Sequence, residues 1–163
     1  LGIAALFAIF FTNFAALFGT GSEESFYLAS GLFENLDLRG LLLAGILLGA
    51  LGVLDDITVA EVTTVDELLR ANPNLSRREL FEKSLRVGRE HIASMVNTLA
   101  LAYAGVALPL ILLFAVDANQ PLWALVNSEF AAEEIVRTLV GSLALVLAAP
   151  ISAGLGAFFL KKK

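Results

Sequence analysis

Residues 86 to 109, RVGREHIASMVNTLALAYAGVALP, carry a charged helix face without a break into an apolar stretch long enough to enter a bilayer. Arg86, Glu90, Ser94 and Asn97 fall at i, i+4, i+8 and i+11. A helix therefore aligns them in one stripe that descends from a membrane surface toward its interior. Few folds accommodate such a segment outside lipid. The composition agrees: 58% of residues are hydrophobic and the mean hydropathy is +0.80, whereas soluble domains hold about 45–50% apolar residues even with glycine counted. The chain reads as an all-α, polytopic integral membrane protein.

Four spans are expected from the apolar runs. Residues 1–19 are interrupted only by Thr12 and Asn13, and at ~1.5 Å per residue they cover roughly the ~30 Å hydrocarbon core. An acidic connection follows, with a short surface helix expected around Phe26 to Leu36. The second span, 41–62, has to run past Asp55 and Asp56, because its strictly apolar part ends at Leu54. Residues 63–91 form a cytoplasmic connection with six of the eleven basic residues. Within it, Thr64-x-x-Glu67 and Ser76-x-x-Glu79 read as capping boxes, the second with Leu75 and Leu80 as a hydrophobic staple. The helix that begins near Arg77 is expected to continue as the third span, 92–115, giving an amphipathic cytoplasmic helix continuous with that span. After a turn at 117–121, Trp123 suits an interfacial anchor and Asn127 or Ser128 a helix cap. The fourth span, 135–160, carries Pro150 and a small-residue seam of Ala148, Ser152 and Gly156. Four crossings put nine of eleven basic residues on one side, which the positive-inside rule makes the cytoplasm, with a cytoplasmic C-terminus. Because the sequence opens on Leu1 within an apolar run, it is expected to be a fragment of a longer chain.

Polar groups inside apolar helices are the candidate functional residues. A charged aspartate at the centre of a span costs about 2.5 to 3.5 kcal/mol and each leucine returns only about 0.5, so the seven leucines from Leu41 to Leu54 do not comfortably offset Asp55 and Asp56. Gly45, Gly49, Gly52 and Asp56 share a face, and Asp56 is expected to point at protein. The pair, with Thr58, suits a cation or proton path; the competing reading is a solvated helix end. Glu90, His91, Asn97 and Thr98 are a candidate pathway lining at similar depth, against the plainer reading of an Arg86–Glu90 helical pair and an interfacial histidine. Asn127, Glu129, Glu133, Glu134 and Arg137 form an outer polar cluster, in which Glu133–Arg137 is equally an ordinary i, i+4 pair.

Enzymatic chemistry has little support. There is no cysteine and one histidine, so thiol nucleophiles, thiolate metal sites and multi-histidine centres fall away. Glu133-Glu134-x-x-Arg137 resembles the motif of intramembrane CAAX-type proteases but fails on spacing and on the histidines that family requires. No serine–histidine–acid set, phosphate loop or nucleic-acid-binding patch is readable. No cofactor is expected, and a metal is left open.

The stretches GALGVLDDITVAEV, FEKSLRVGREHIASMVNTLALAYAGVALPLILLF and NSEFAAEEIVRTLVGSLALVLAAPISA together resemble the YibE/F-like family of bacterial multi-pass membrane proteins. The resemblance implies a permease of the bacterial cytoplasmic membrane, with longer chains and further spans upstream. It also implies roles for Asp55, Asp56, Arg89, His91, Asn97, Thr98, Asn127, Glu129, Glu133, Glu134 and Arg137. One departure is Ser152-Ala153, where threonines are expected after the helix proline. The leading expectation is a permease module moving a small solute or ion, partnered by lipid and by upstream transmembrane helices, a homologous subunit or a second copy. The alternative is an accessory or assembly subunit whose basic helix docks a cytoplasmic partner or anionic lipid.

Overall fold

In the computed structural model, which describes residues 1–22, 24, 25, 27, 28, 36–116 and 121–161, every described element is an α-helix. These are α1 (Gly2–Phe14), α2 (Leu38–Ala71), α3 (Arg77–Val106), α4 (Leu108–Val116), α5 (Leu122–Val126) and α6 (Glu129–Leu160). Most of the surface helix expected around Phe26 to Leu36, and most of the turn at 117–121, lie outside the described residues.

The four-span architecture is corrected. Among the described residues, only α2 and α6 are long and apolar enough to cross a membrane. Helix α1 has 13 residues, about 20 Å at ~1.5 Å per residue, against a core of ~30 Å. Helix α3 is long enough, but Arg86, Arg89 and Glu90 occupy its middle and it ends at Ala107. Pro109 accounts for that end: it has no N–H to offer the carbonyl of Gly105, and its ring crowds that carbonyl. The expected third span is thereby split between the apolar end of α3 and the nine residues of α4.

Helix α2 departs from expectation in the opposite sense. Thr64 starts no new helix; its Oγ1 donates to the Ala60 carbonyl at 2.8 Å, and α2 runs on through 34 residues to Asn72-Pro73. At its start the Asp37 side chain accepts from the Gly40 N–H at 3.0 Å. The second capping box is fully formed in α3: Glu79 N–H donates to Ser76 Oγ at 3.2 Å, and Ser76 N–H and Oγ–H donate to Glu79 Oε2 at 2.8 and 2.7 Å. Leu75 and Leu80 are both buried beside it.

The packing register follows from the buried residues. Leu42, Ile46 and Ala50 of α2 meet Val136, Val140 and Ala144 of α6 together with Ala4 and Ala8 of α1. Ile57 meets Leu145, Ala148 and Ala149, and Val65 lies against Gly156 and Ala157. Helices α2 and α6 therefore run parallel, with the small-residue seam of α6 facing α2. Helix α3 runs antiparallel to both, placing Phe81 beside Val65 and Ala157 and Leu99 beside Gly141. Alanine and glycine supply most of the α6 seam, so the helices approach closely and dispersion contacts replace bulky side chains.

Candidate functional site

The site is built at the N-terminal end of α6. Ser128 caps the helix, its Oγ accepting from Ala131 N–H at 3.3 Å. The first turns then project Glu129, Glu133 and Arg137 along one stripe, with Glu134 beside them. The chain after α1 folds back over this stripe. Glu129 Oε1 accepts from the backbone N–H groups of Phe18 (2.7 Å) and Thr20 (3.1 Å), and its Oε2 accepts from the Thr20 hydroxyl. Glu133 Oε1 accepts from Gly21 N–H at 3.0 Å. Two glycines make the fold-back workable. Gly19 has φ +82°, and a Cβ there would lie 2.3 Å from the Leu38 carbonyl oxygen; one on Gly21 would lie 2.8 Å from the Glu133 carboxyl.

Arg137 points the other way, toward α2 and α3. A Cβ on Gly45 would sit 3.5 Å from its Nη1, and its guanidinium lies 6.0 Å from the Tyr103 ring centre. A Cβ on Gly49 would come within 3.2 Å of the Tyr103 hydroxyl. The glycine face of α2 thus admits two side chains rather than a helix backbone. Arg137 Nε stands 3.5 Å from Glu134 Oε2, with the side chains 24% and 15% exposed. Both of these atoms are buried and neither has a hydrogen-bond partner among the described residues. This is a slack ion pair, too long and too poorly aligned for a charge-assisted hydrogen bond.

A cavity of about 150 Å³ opens beside it, with Ser22, Ser25, Gly45, Glu133, Glu134 and Arg137 in its wall. On the other side of Glu134 lies an apolar groove of about 360 Å³ between α3, α4 and α6, reached by Tyr103 and Thr138. Glu134 lines both. Among the described residues, two carboxyl groups, one guanidinium and two serine hydroxyls line this cavity, a set of donors and acceptors with an excess of negative charge that can hydrogen-bond a small polar solute or a cation without forming a three-carboxylate metal site.

Residues 1–162 match the YibE/F-like protein family over nearly the full length of the sequence. The chain belongs to the YibE/F-like protein family. No curated protein and no solved structure matches it. Family membership and the two apolar helices make this a membrane-associated protein.

The remaining candidate residues of this YibE/F-like chain are distributed differently. Asp55 and Asp56 are exposed on α2, and Glu90, His91, Asn97 and Thr98 are exposed on α3. The stripe Gly45, Gly49, Gly52, Asp56 is covered at its first two positions, while Gly52 has nothing within 4 Å. Asn127 is exposed and its Nδ2 donates to the Trp123 carbonyl at 2.8 Å, closing α5. Among the described residues, no three His, Asp or Glu side chains are grouped to hold a metal ion.

Sequence reasoning passed over Ser22, Ser25 and Tyr103, which come from distant parts of the chain, and it passed over Glu61. Glu61 is 2% exposed and stands between Ile57 and Val65 on the buried face of α2. Its four-residue spacing from Ile57 and Val65 was a readable signal.

Proposed function

We propose that this chain is a non-enzymatic module of a bacterial membrane permease that passes a small polar solute or cation through the cavity at the head of α6. The observation that carries this reading is the slack Glu134–Arg137 pair beside that cavity. A buried ion pair kept only for stability gains most by closing into aligned hydrogen bonds, whereas this one keeps donor and acceptor capacity for a ligand. The excess of carboxyl groups favours a cation or a hydrogen-bonding solute over an anion.

Asp55, Asp56, Glu90, His91, Asn97 and Thr98 are proposed as a second polar set. Their exposure in the single chain suits completion by upstream helices or a further copy. The basic residues of the 63–91 stretch and the C-terminus are assigned to the cytoplasm by the positive-inside rule. Bending at Pro109 and Pro150 would serve a change of access. Reconstituted flux, measured against a panel of ions and small solutes, tests the proposal. Glu134→Gln and Arg137→Ala should each abolish flux in protein that remains helical; unchanged flux in the double variant would remove the cavity from the pathway.

A second reading has its own support. Glu129 and Glu133 are occupied by backbone N–H groups, as in a purely structural latch, and Arg78, Lys83, Arg86 and Arg89 are exposed on α3. An accessory subunit would use that basic surface on anionic lipid or an acidic partner. Vesicle binding that requires anionic lipid, weakens with salt and is lost in Arg86→Gln/Arg89→Gln, in a chain without flux, would favour it.

A further inference from the structure

Glu61 lies outside the cavity at the head of α6 and serves no contact there. It is 2% exposed, between Ile57 and Val65, both fully buried. Its carboxyl rests on Gly88 of α3 so closely that a Cβ on that glycine would come within 1.7 Å of Oε1 and 2.8 Å of Cδ. Oε2 has no hydrogen-bond partner among the described residues. Ser84, one turn away and fully buried, has its hydroxyl bonded to the Phe81 carbonyl at 3.1 Å.

No charged group faces Glu61 from the helices packed around it. The buried and half-buried positions of α3 from Phe81 to Leu99 are apolar residues, Ser84 and Gly88, and those of α6 from Leu145 to Ala157 are apolar, proline, glycine or serine. Helix α1 contains no charged residue. The basic residues flanking Gly88, Arg86 and Arg89, are exposed on α3, and Arg70 on α2 is exposed and paired with Asp66. An ionised carboxylate in this interface meets no counter-charge on the helix faces that cover it and is largely desolvated. A neutral carboxylic acid fits it, and the missing side chain of Gly88 is what lets the two helices close over it.

We propose that Glu61 is a proton-binding site whose ionisation is coupled to separation of α2 from α3 at Gly88. With the proton on, the helices close. When they part, water reaches Oε2 and takes the proton, and the carboxylate then holds the interface open by retaining its hydration. The ligand is a proton, and the site is independent of the Glu134–Arg137 cavity.

The sequence contains no cysteine, so nitroxide labels at Thr63→Cys on α2 and Val87→Cys on α3, both exposed positions, report the helix separation in lipid by pulsed electron spin resonance. The otherwise native chain should gain a longer-distance population as pH rises, and Glu61→Gln should lose that population at every pH. Gly88→Ala should produce it at low pH as well, and Glu61→Ala in that background should reverse the effect. A distance distribution that ignores pH, or a pH response that survives Glu61→Gln unchanged, overturns the proposal. These two measurements decide it even if Gly88→Ala fails to fold.

Discussion

Gly19 and Ala16 sit three residues apart in the fold-back that latches onto α6, and both have positive φ, +82° and 50°. Only one of them is a glycine. For an L-residue the left-handed conformation costs roughly 1–2 kcal/mol, so Ala16→Gly should stabilise the chain by up to about 1 kcal/mol. Gly19→Ala carries the same penalty and in addition drives a Cβ to 2.3 Å from the Leu38 carbonyl oxygen, so its cost should exceed roughly 2 kcal/mol. Thermal unfolding in detergent reads both, and the opposite signs make the pair diagnostic. Arg137 offers a second test. Removing one partner of a buried ion pair costs about 3–5 kcal/mol, and partial exposure of both side chains places Arg137→Ala near the lower end, roughly 3 kcal/mol. The Glu129, Glu133 and Arg137 stripe, with Glu134 beside it, was legible from spacing along one helix. The bonds to Phe18, Thr20 and Gly21 were not, because nothing local specifies which distant loop will lie across a helix end.

At the level of the element, α3 starts where its sequence says and stops where its proline says. Its capping box holds the Glu79 carboxyl below the ordinary carboxylate range, through hydrogen bonds from the backbone N–H and the hydroxyl of Ser76. A carboxyl depressed in the folded state contributes stability that is present above its unfolded pKa, about 4.3, and is lost as pH falls through the lower folded value. Amide exchange at 77–80 should therefore accelerate as pH drops below about 4, after correction for intrinsic rates, and Glu79→Gln should abolish the dependence. Pro109→Ala should let α3 and α4 join, giving residue 109 a protected amide that bonds the Gly105 carbonyl. If the break at Ala107 persists in that variant, tertiary packing and not proline sets it. Helix α2 was the hardest to read in sequence. Thr64-x-x-Glu67 has the pattern of a start signal, yet a threonine inside a continuous helix satisfies its hydroxyl on the carbonyl four residues back, as Thr64 does.

At the scale of the molecule, two parallel apolar helices share a seam of small residues while α3 fills the angle between them. Gly156 tests how tight that seam is. A Cβ there would meet Val65 at 3.4 to 3.6 Å, ordinary contact, so Gly156→Ala should be tolerated within a few tenths of a kcal/mol. Gly156→Leu has no such room and should cost about 1–3 kcal/mol, as overpacking does. Unfolding measured in the same detergent compares the two directly. The end of α6 is also tied down: Arg77 donates to the Lys161 carbonyl at 3.2 Å and lies over the Phe158 ring, and Lys161 donates to the Pro73 carbonyl. The α2–α3 turn and the end of α6 are thereby joined, whereas the opposite end of the molecule contains the cavity and its slack ion pair.

Helical class, membrane association, family, the Ser76 cap and the outer Glu129–Arg137 stripe follow from the sequence by itself. Hydropathy, capping chemistry and side chains within a few residues of one another on a helix are all local properties. The break before Pro109 is likewise a local effect of proline, whereas only the tertiary structure decided that α2 and α6 are the two helices fit to cross a membrane. Tertiary packing also assigned the buried carboxyl on α2, with Asp55 and Asp56 exposed and Glu61 sealed beneath Gly88. Apolar length alone cannot place a carboxyl; that depends on which face of α2 its neighbours cover, and the covering residues are some thirty to ninety positions away in the chain.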